Sequence, residues 1–335
     1  MKVLLYRGRE IFSKRSGIGR AFLHQKKALE KVGIEYTTDP KDTFDIVHVN
    51  LGNSSVIKKF KKKYPVIVHG HSTVEDFRRS FALWRFIAPF FRKHLQNIYG
   101  VADMIITPTR YSKFLIESMA VVDCPVLAIS NGIDLSEYEF KQERVDKFRT
   151  YFNLNENDKV VIGVGLLFER KGLHDFFEVA RRLPDYKFIW FGYLHPLLRT
   201  HFIKKAIKRK PNNVIMPGYL DGEIIKGAFL NANCVFFPSY EETEGIVVLE
   251  ALASKSPLVI RDIPVYYDWL EDQKHVLKGN NNKEFAQIID YIVNHDMSKM
   301  TEEGYKIAEA RSIDKVALQL KDAYEKVLKI KEENK

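Results

Sequence analysis

The stretch Pro238-Ser239-Tyr240-Glu241-Glu242-Thr243-Glu244-Gly245-Ile246-Val247-Val248-Leu249-Glu250-Ala251-Leu252-Ala253 decides how the chain folds. Ahead of it, Cys234-Val235-Phe236-Phe237 is a short apolar run of strand type, which proline stops at position 238. Beyond Gly245 the apolar residues Ile246, Leu249 and Ala253 recur at helical spacing. The pattern predicts a buried parallel strand, a short loop and a helix start. Such a start leaves backbone N–H groups unpaired at the positive end of a dipole, which suits a phosphate. Glu242 falls in the loop and Glu250 eight residues on, two turns into the helix. An acid there can accept from ribose hydroxyls, while the loop acid can meet a sugar beyond the phosphates. This is the chemistry of nucleotide-sugar recognition; the plainer alternative is a solvated loop with a charge pair at a helix start.

A chain of 335 residues, 45% hydrophobic, has the size of two ordinary domains with their own cores. Its two cysteines, Cys124 and Cys234, lie in or beside apolar runs without metal-ligand spacing, so free thiols in a reducing compartment are expected. No apolar run approaches the roughly 20 residues that span a bilayer, and the charged N-terminus leads into a strand, which predicts a cytoplasmic protein. The net charge of +10 is one-sided: residues 1–150 hold 26 Lys+Arg against 16 Asp+Glu, and residues 151–335 hold 27 against 27. That asymmetry calls for an anionic partner, either a nucleic acid or the anionic face of a membrane.

Taken in order, strands are expected at Lys2–Tyr6, Asp45–Val49, Val66–His71, Met104–Thr107 and Val126–Ile129, alternating with helices. A second alternating set runs through Val160–Gly165, Lys187–Gly192, Val214–Met216, Cys234–Phe237 and Pro257–Ile260. The expected architecture is α/β, two doubly wound parallel-sheet domains of Rossmann type, at 1–155 and 156–311, with a helix over 312–335 that can pack back on the first domain. Ligands of such sheets belong at the carboxyl ends of the strands. Ser16-Gly17-Ile18-Gly19-Arg20 lies where Gly17 and Gly19 can let backbone approach a ligand. Of two histidines at one strand end, His71 is expected in the loop beyond it and is the better candidate than His69. Arg170 and Lys171 stand where a diphosphate could be neutralised. Lys58-Lys59-Phe60-Lys61-Lys62-Lys63 is a basic run whose bland reading is a solvated helix face. Residues 78–94 set Phe81, Trp84, Phe86, Phe90 and Phe91 among five basic residues, the make-up of a helix lying in a membrane interface; a core helix with basic ends is the alternative.

The Asn131-Gly132-Ile133-Asp134 junction, Arg170-Lys171-Gly172, and Glu242-x7-Glu250 running into Glu250-Ala251-Leu252-Ala253 resemble, over essentially the whole chain, the family 4 retaining glycosyltransferases of the GT-B fold. Lys2–Tyr6, Ser16–Arg20, Tyr36-Thr37-Thr38-Asp39-Pro40, Val68–Phe77 and Phe168–Gly172 look like the bacterial members that add a second sugar to monoglucosyldiacylglycerol. Two details depart from the family pattern: Glu242-Thr243-Glu244-Gly245 stands in place of Glu-Gly-Phe-Gly, and Gly165-Leu166 in place of Gly-Arg.

The resemblance implies a hexosyltransferase that moves glucose from UDP-glucose to α-monoglucosyldiacylglycerol, giving α-diglucosyldiacylglycerol. Alternatives are a UDP-galactose donor, a polysaccharide acceptor or, in another class, a non-catalytic nucleic-acid-binding protein, against which the paired acids weigh. It further implies Glu250 on the ribose, Arg170 and Lys171 on the diphosphate, Glu242 on the donor sugar, and the N–H groups of Glu244, Gly245 and Ile246 on phosphate. Gly17 and Gly19 also belong to this donor-binding set, and His71 meets the acceptor headgroup. No Asp-x-Asp is present and Asp221-Gly222-Glu223 reads as a turn, so no metal or cofactor is expected. The expected partners are a UDP-hexose, a glycolipid acceptor and an anionic membrane surface, with no nucleic acid. The expected location is peripheral, on the inner face of the cell membrane.

Overall fold

The computed structural model describes residues 1–8, 16–220 and 222–333. The turn residue Asp221 and the last two residues of the expected 312–335 helix segment lie outside them. The chain divides into two compact units. The first comprises Met1–Phe77, Arg85–Ile133 and Arg311–Lys335, and the second Arg78–Trp84 and Asp134–Ala310.

The first unit runs β1 (Lys2–Tyr6), α1 (Gly17–Lys31), β2 (Glu35–Thr37), β3 (Ile46–Val49), α2 (Ser54–Lys61), β4 (Val66–His69), α3 (Val74–Phe77), α4 (Trp84–Tyr99), β5 (Met104–Thr107), α5 (Arg110–Glu117) and β6 (Val126–Ala128). Its six strands are parallel, in the order β2-β1-β3-β4-β5-β6. β3, β4 and β5 are buried throughout, which is why they read as short unbroken apolar runs instead of alternating ones. The Ser16 side chain caps α1 by accepting from the Gly19 N–H.

In the second unit come α6 (Gln142–Tyr151), β7 (Val160–Val164), α7 (Leu173–Arg182), β8 (Lys187–Phe191), α8 (His201–Lys208), β9 (Val214–Gly218), α9 (Gly222–Asn231), β10 (Cys234–Phe237), α10 (Ile246–Ala253), β11 (Leu258–Arg261), β12 (Leu277–Gly279), α11 (Asn282–Asn294) and α12 (Ser298–Ala310). The sheet order is β12-β11-β10-β7-β8-β9, again all parallel. From β7 the chain winds outward through β8 and β9, then returns to β10 on the other side of β7 and winds the opposite way. The direction reverses between β7 and β10, and the crevice at that point is where a doubly wound sheet binds its ligand. The last helix, α13 (Ile313–Glu333), returns to the first unit. Its Val316, Ala317, Leu320, Ala323, Tyr324 and Val327 enter one apolar cluster with Phe22, Ala28 and Leu29 of α1, each large side chain contributing roughly 1.5–3 kcal/mol of burial.

Four expectations change. Residues 134–155, assigned above to the first domain, cluster with the second, because α6 and the 3-10 turn Leu135–Tyr138 pack on α9 and α10. Gly17 and Gly19 are not in a loop but in the first turn of α1. The helix expected over 78–94 starts only at Trp84; Arg79 and Leu83 take positive φ, and Phe81 packs edge-on to Phe168 in the core of the second unit. In the lysine run, Lys61 is half-buried, paired with Asp103 at 3.0 Å, so Lys58, Lys59, Lys62 and Lys63 alone form the exposed set.

Candidate functional site

The loops after β7 and β10 bring together Arg170, Lys171 and Glu242. Gly172 is what lets them meet: its φ of +74° suits glycine, and a Cβ there would stand 2.5 Å from the Pro238 carbonyl oxygen. A backbone bond from the Tyr240 N–H to the Arg170 carbonyl, 2.7 Å, ties the same two loops. Lys171 Nζ donates to Glu242 Oε1, and Arg170 Nη1 lies 3.7 Å from the same oxygen. Arg170 is itself held: Nη1 donates to the Glu241 carbonyl at 3.0 Å, and Nε to Ser80 Oγ at 2.9 Å. Burial pushes the Glu242 carboxyl up, but the charges of Lys171 and Arg170 outweigh it and hold the group below its usual range. Glu242 is therefore a buried carboxylate whose charge depends on its two cations.

Gly245, at φ +87°, turns the chain into α10, and Glu250 is buried on that helix, where it accepts from the Tyr138 hydroxyl at 2.8 Å. Glu244 is wholly buried. Arg170, Lys171, Glu242, Glu244, Gly245, Ile246 and Glu250 thus lie on the two loops and the helix start that flank the switch point of one sheet. Gly17, Gly19 and His71 belong to the first unit. There, Gly17 is exposed with open space at its Cβ position, Gly19 is buried, and His71 stands half-buried just past β4, with Nε2 bonded 2.9 Å from Asn50 Oδ1.

Arg261 and Tyr266, at these loops, were missed in the sequence. Arg261 closes β11 and is 8% exposed; it pairs with buried Asp175 at 2.8 Å, donates to the Pro238 carbonyl at 3.1 Å, and stacks 4.0 Å over the Tyr240 ring. It braces the loop that carries Glu242. A charged residue ending the run Leu258-Val259-Ile260 was the one hint available. Tyr266 buries a hydroxyl that has no hydrogen-bond partner among the described residues, 3.0 Å from where a Gly245 Cβ would sit. Burial, and then Glu242, Glu241 and Glu244 beside it, keep that phenol well above its usual pKa, hence a neutral donor. Among the described residues no group of three His, Cys, Asp or Glu side chains is arranged to hold a metal ion.

The chain is similar in sequence and in fold to known proteins. Residues 145–309 match the family model described as glycosyl transferases group 1, and residues 15–137 the one described as glycosyltransferase family 4. Over 331 residues the chain is 70% identical to the processive diacylglycerol alpha-glucosyltransferase of Acholeplasma laidlawii, covering 99% of this chain and 100% of that relative. It is 27% identical to the alpha-galactosylglucosyldiacylglycerol synthase of Streptococcus pneumoniae, over 71% of this chain and 66% of that one. In fold it is similar to Anabaena HepE, solved in complex with UDP-glucose, with a TM-score of 0.77 at 16% identity over 97% of this chain and 100% of the other.

Proposed function

The chain belongs to the family 4 glycosyltransferases of the GT-B fold, and on that premise we propose that it transfers glucose from UDP-glucose to monoglucosyldiacylglycerol at the membrane surface. The observation that carries this reading is the identity to the A. laidlawii enzyme, which extends over the whole chain and so over both the donor loops and the first unit. That relative's name makes glucose the favoured sugar over galactose, and its processivity implies that diglucosyldiacylglycerol can be extended further.

We assign the donor to the second unit, where Arg170, Lys171, Glu242 and Glu250 lie around the switch point of one sheet. Glu250 accepts from the ribose hydroxyls, Arg170 and Lys171 meet the diphosphate, and the N–H groups from Glu244 to Ile246 face phosphate at the start of α10. Glu242 then exchanges its Lys171 contact for hydroxyls of the glucose. An α-linked product from an α-linked donor means retention. The acceptor hydroxyl attacks on the face the diphosphate leaves, its proton passes to the departing phosphate oxygen, and the charge that builds on that oxygen falls between the two cations. In the first unit, His71 receives the headgroup of the acceptor lipid. Since Arg170 and Lys171 supply the stabilising charge, transfer should continue undiminished in a chelator; loss of activity that only manganese or magnesium restores would overturn that part.

No helix among the described residues is long and apolar enough to cross a membrane. The route to a lipid acceptor that we propose is peripheral docking on the inner, anionic leaflet through α4. Its first turns leave Phe86 76% and Phe90 77% exposed beside Ile87, with Arg85, Arg92 and Lys93 around them, while Leu95, Ile98 and Tyr99 anchor its far end in the core. Exposed Lys58, Lys59, Lys62 and Lys63 add charge attraction of about 1 kcal/mol each, decaying over a Debye length of about 10 Å at 0.1 M salt. Phe86→Ser with Phe90→Ser should weaken sedimentation with anionic vesicles and leave its salt slope nearly unchanged. Changing the four lysines to serine should weaken it and flatten the slope. If neither variant alters vesicle binding, the protein reaches its acceptor by another route; duplex DNA serves as the control polyanion.

The reaction itself is tested by product analysis with UDP-glucose and UDP-galactose on monoglucosyldiacylglycerol in mixed vesicles. Diglucosyldiacylglycerol with an α linkage is expected. Exclusive use of UDP-galactose, or transfer only to a water-soluble acceptor, would refute the assignment.

A further inference from the structure

Behind His71 the first unit buries an array of polar side chains that the transfer reaction does not account for. Asn50 Nδ2 donates to Gln25 Oε1 at 2.8 Å, and Gln25 Nε2 lies 2.7 Å from His48 Nδ1. The Tyr324 hydroxyl, from the last helix, is 2.8 Å from the same His48 nitrogen. His48 Nε2 is 3.2 Å from His69 Nδ1, and the His69 and His71 rings stack with centroids 3.9 Å apart. All these groups are buried apart from half-buried His71. A run of five buried polar side chains behind one half-buried candidate residue is costly to build and calls for a use.

The proton positions in the array follow from one donor. Burial lowers the pKa of all three imidazoles, so each carries a single ring proton. The phenol proton of Tyr324 goes to His48 Nδ1, 2.8 Å away, because the Gln25 amide atom, its other neighbour, stands at 3.4 Å, too far to compete for it whichever way the amide is turned. His48 is then bare at Nδ1 and protonated at Nε2, donating to His69 Nδ1. Gln25 turns its amide nitrogen to that bare atom and its oxygen to Asn50. Asn50, having donated to Gln25, has its oxygen left for His71, which must be protonated at Nε2. His71 Nδ1 is left bare, with no hydrogen-bond partner among the described residues. Without the phenol proton the opposite order, with both amides reversed and His71 protonated at Nδ1, satisfies the array equally well.

We propose that Tyr324, acting through Gln25 and Asn50, is a positioning residue that fixes His71 as the Nε2–H tautomer, so that its bare Nδ1 accepts a hydrogen bond from a hydroxyl of the incoming sugar headgroup. This rests on the assignment of His71 to the acceptor side. It goes beyond that assignment by giving His71 a direction, acceptor and not donor, and by giving the C-terminal helix a part in transfer.

The test combines nitrogen NMR of histidine-labelled protein with kinetics on monoglucosyldiacylglycerol. Wild type should show His71 protonated at Nε2. Tyr324→Phe should give a mixture of His71 tautomers, with kcat lowered roughly three- to tenfold, the weight of one hydrogen bond, and KM for UDP-glucose unchanged. Adding Asn50→Asp, an acceptor-only side chain when ionised, should restore both the Nε2–H tautomer and kcat. If Tyr324→Phe does not fold, Gln25→Met cuts the array between His48 and Asn50 and is read in the same way. Protonation at Nδ1 in wild type, or an unaltered tautomer in Tyr324→Phe, overturns the array; an altered tautomer with unaltered kcat overturns its bearing on transfer. His71→Ala separates the two layers: full transfer in that variant refutes the acceptor-side assignment whatever the NMR shows.

Discussion

Lys171→Ala is expected to lower kcat/KM roughly 30- to 1,000-fold, the equivalent of about 2–4 kcal/mol of transition-state stabilisation, on the scale of losing one oxyanion donor. The effect is this large because the leaving diphosphate gains charge only as the glucosyl bond breaks, so a fixed ammonium gains more in the transition state than in the bound donor. The structure adds a second consequence. Lys171 neutralises Glu242, which is 6% exposed, and removing one partner of a buried pair costs up to about 3–5 kcal/mol of stability. Arg170, 3.7 Å from the same carboxylate, reduces that loss but does not cancel it. The two effects separate in a double variant. Lys171→Ala with Glu242→Gln removes the uncompensated charge and should recover most of the thermal stability while remaining inactive. Glu250→Ala, which loses the ribose contact, should weaken UDP binding with less effect on stability. Near-wild-type transfer by Lys171→Ala, or activity that returns with stability in the double variant, would refute the donor-site assignment.

The strand, loop and helix start proposed for the donor were legible as structure because three local signals coincide there: an apolar strand ended by Pro238, a glycine at the helix start, and two acids at fixed spacing. The same physics made the central strands readable, since β3, β4, β5 and β10 are buried on both faces and carry almost nothing but apolar side chains. The edge strands β2 and β12 were missed, because three residues such as Glu35-Tyr36-Thr37 or Leu277-Lys278-Gly279 pair along one side only and need no apolar run. What remained hidden depends on partners distant in sequence. Arg261 is a brace only because Asp175 and the Pro238 carbonyl surround it, and Phe81 is core only because Phe168 faces it. The aromatic and basic composition of 78–94 suggested one interfacial helix; the backbone at Arg79 and Leu83 instead divides the segment into a docked strap and a helix whose exposed phenylalanines start at Phe86. The partnership of Tyr324 with His48 spans 276 residues and could not be read from either neighbourhood.

The buried histidines His48 and His69, with His71 beside them, should make the first unit acid-labile well above the range in which carboxylates titrate. Burial lowers His69 from its ordinary value of 6.5 to about 4, against a smaller upward pull from Asn131, and lowers His48 and His71 in the same direction. A histidine whose folded pKa is depressed binds fewer protons folded than unfolded. Its contribution is therefore complete above pH 6.5 and is lost as pH falls through the interval down to the folded value. For His69 alone, 8% exposed, that interval is worth about 3 kcal/mol, at 1.36 kcal/mol per pH unit. Glu242, held below its ordinary carboxylate value, loses its own stabilising contribution only below about pH 4.5, so the window from pH 6.5 to 5 belongs to the histidines. His174 and His275 of the second unit are lowered by burial too, so the slope must be assigned by substitution. Urea denaturation of wild type at pH 7, 6 and 5 should show stability falling progressively, and His69→Leu, which takes one proton-binding site out of the unfolded chain, should flatten the fall. A wild-type midpoint that stays level from pH 7 to pH 5, or a slope that His69→Leu leaves untouched, would mean that these imidazoles bind protons as readily in the folded protein as in the unfolded one, and that the array behind His71 is open to water.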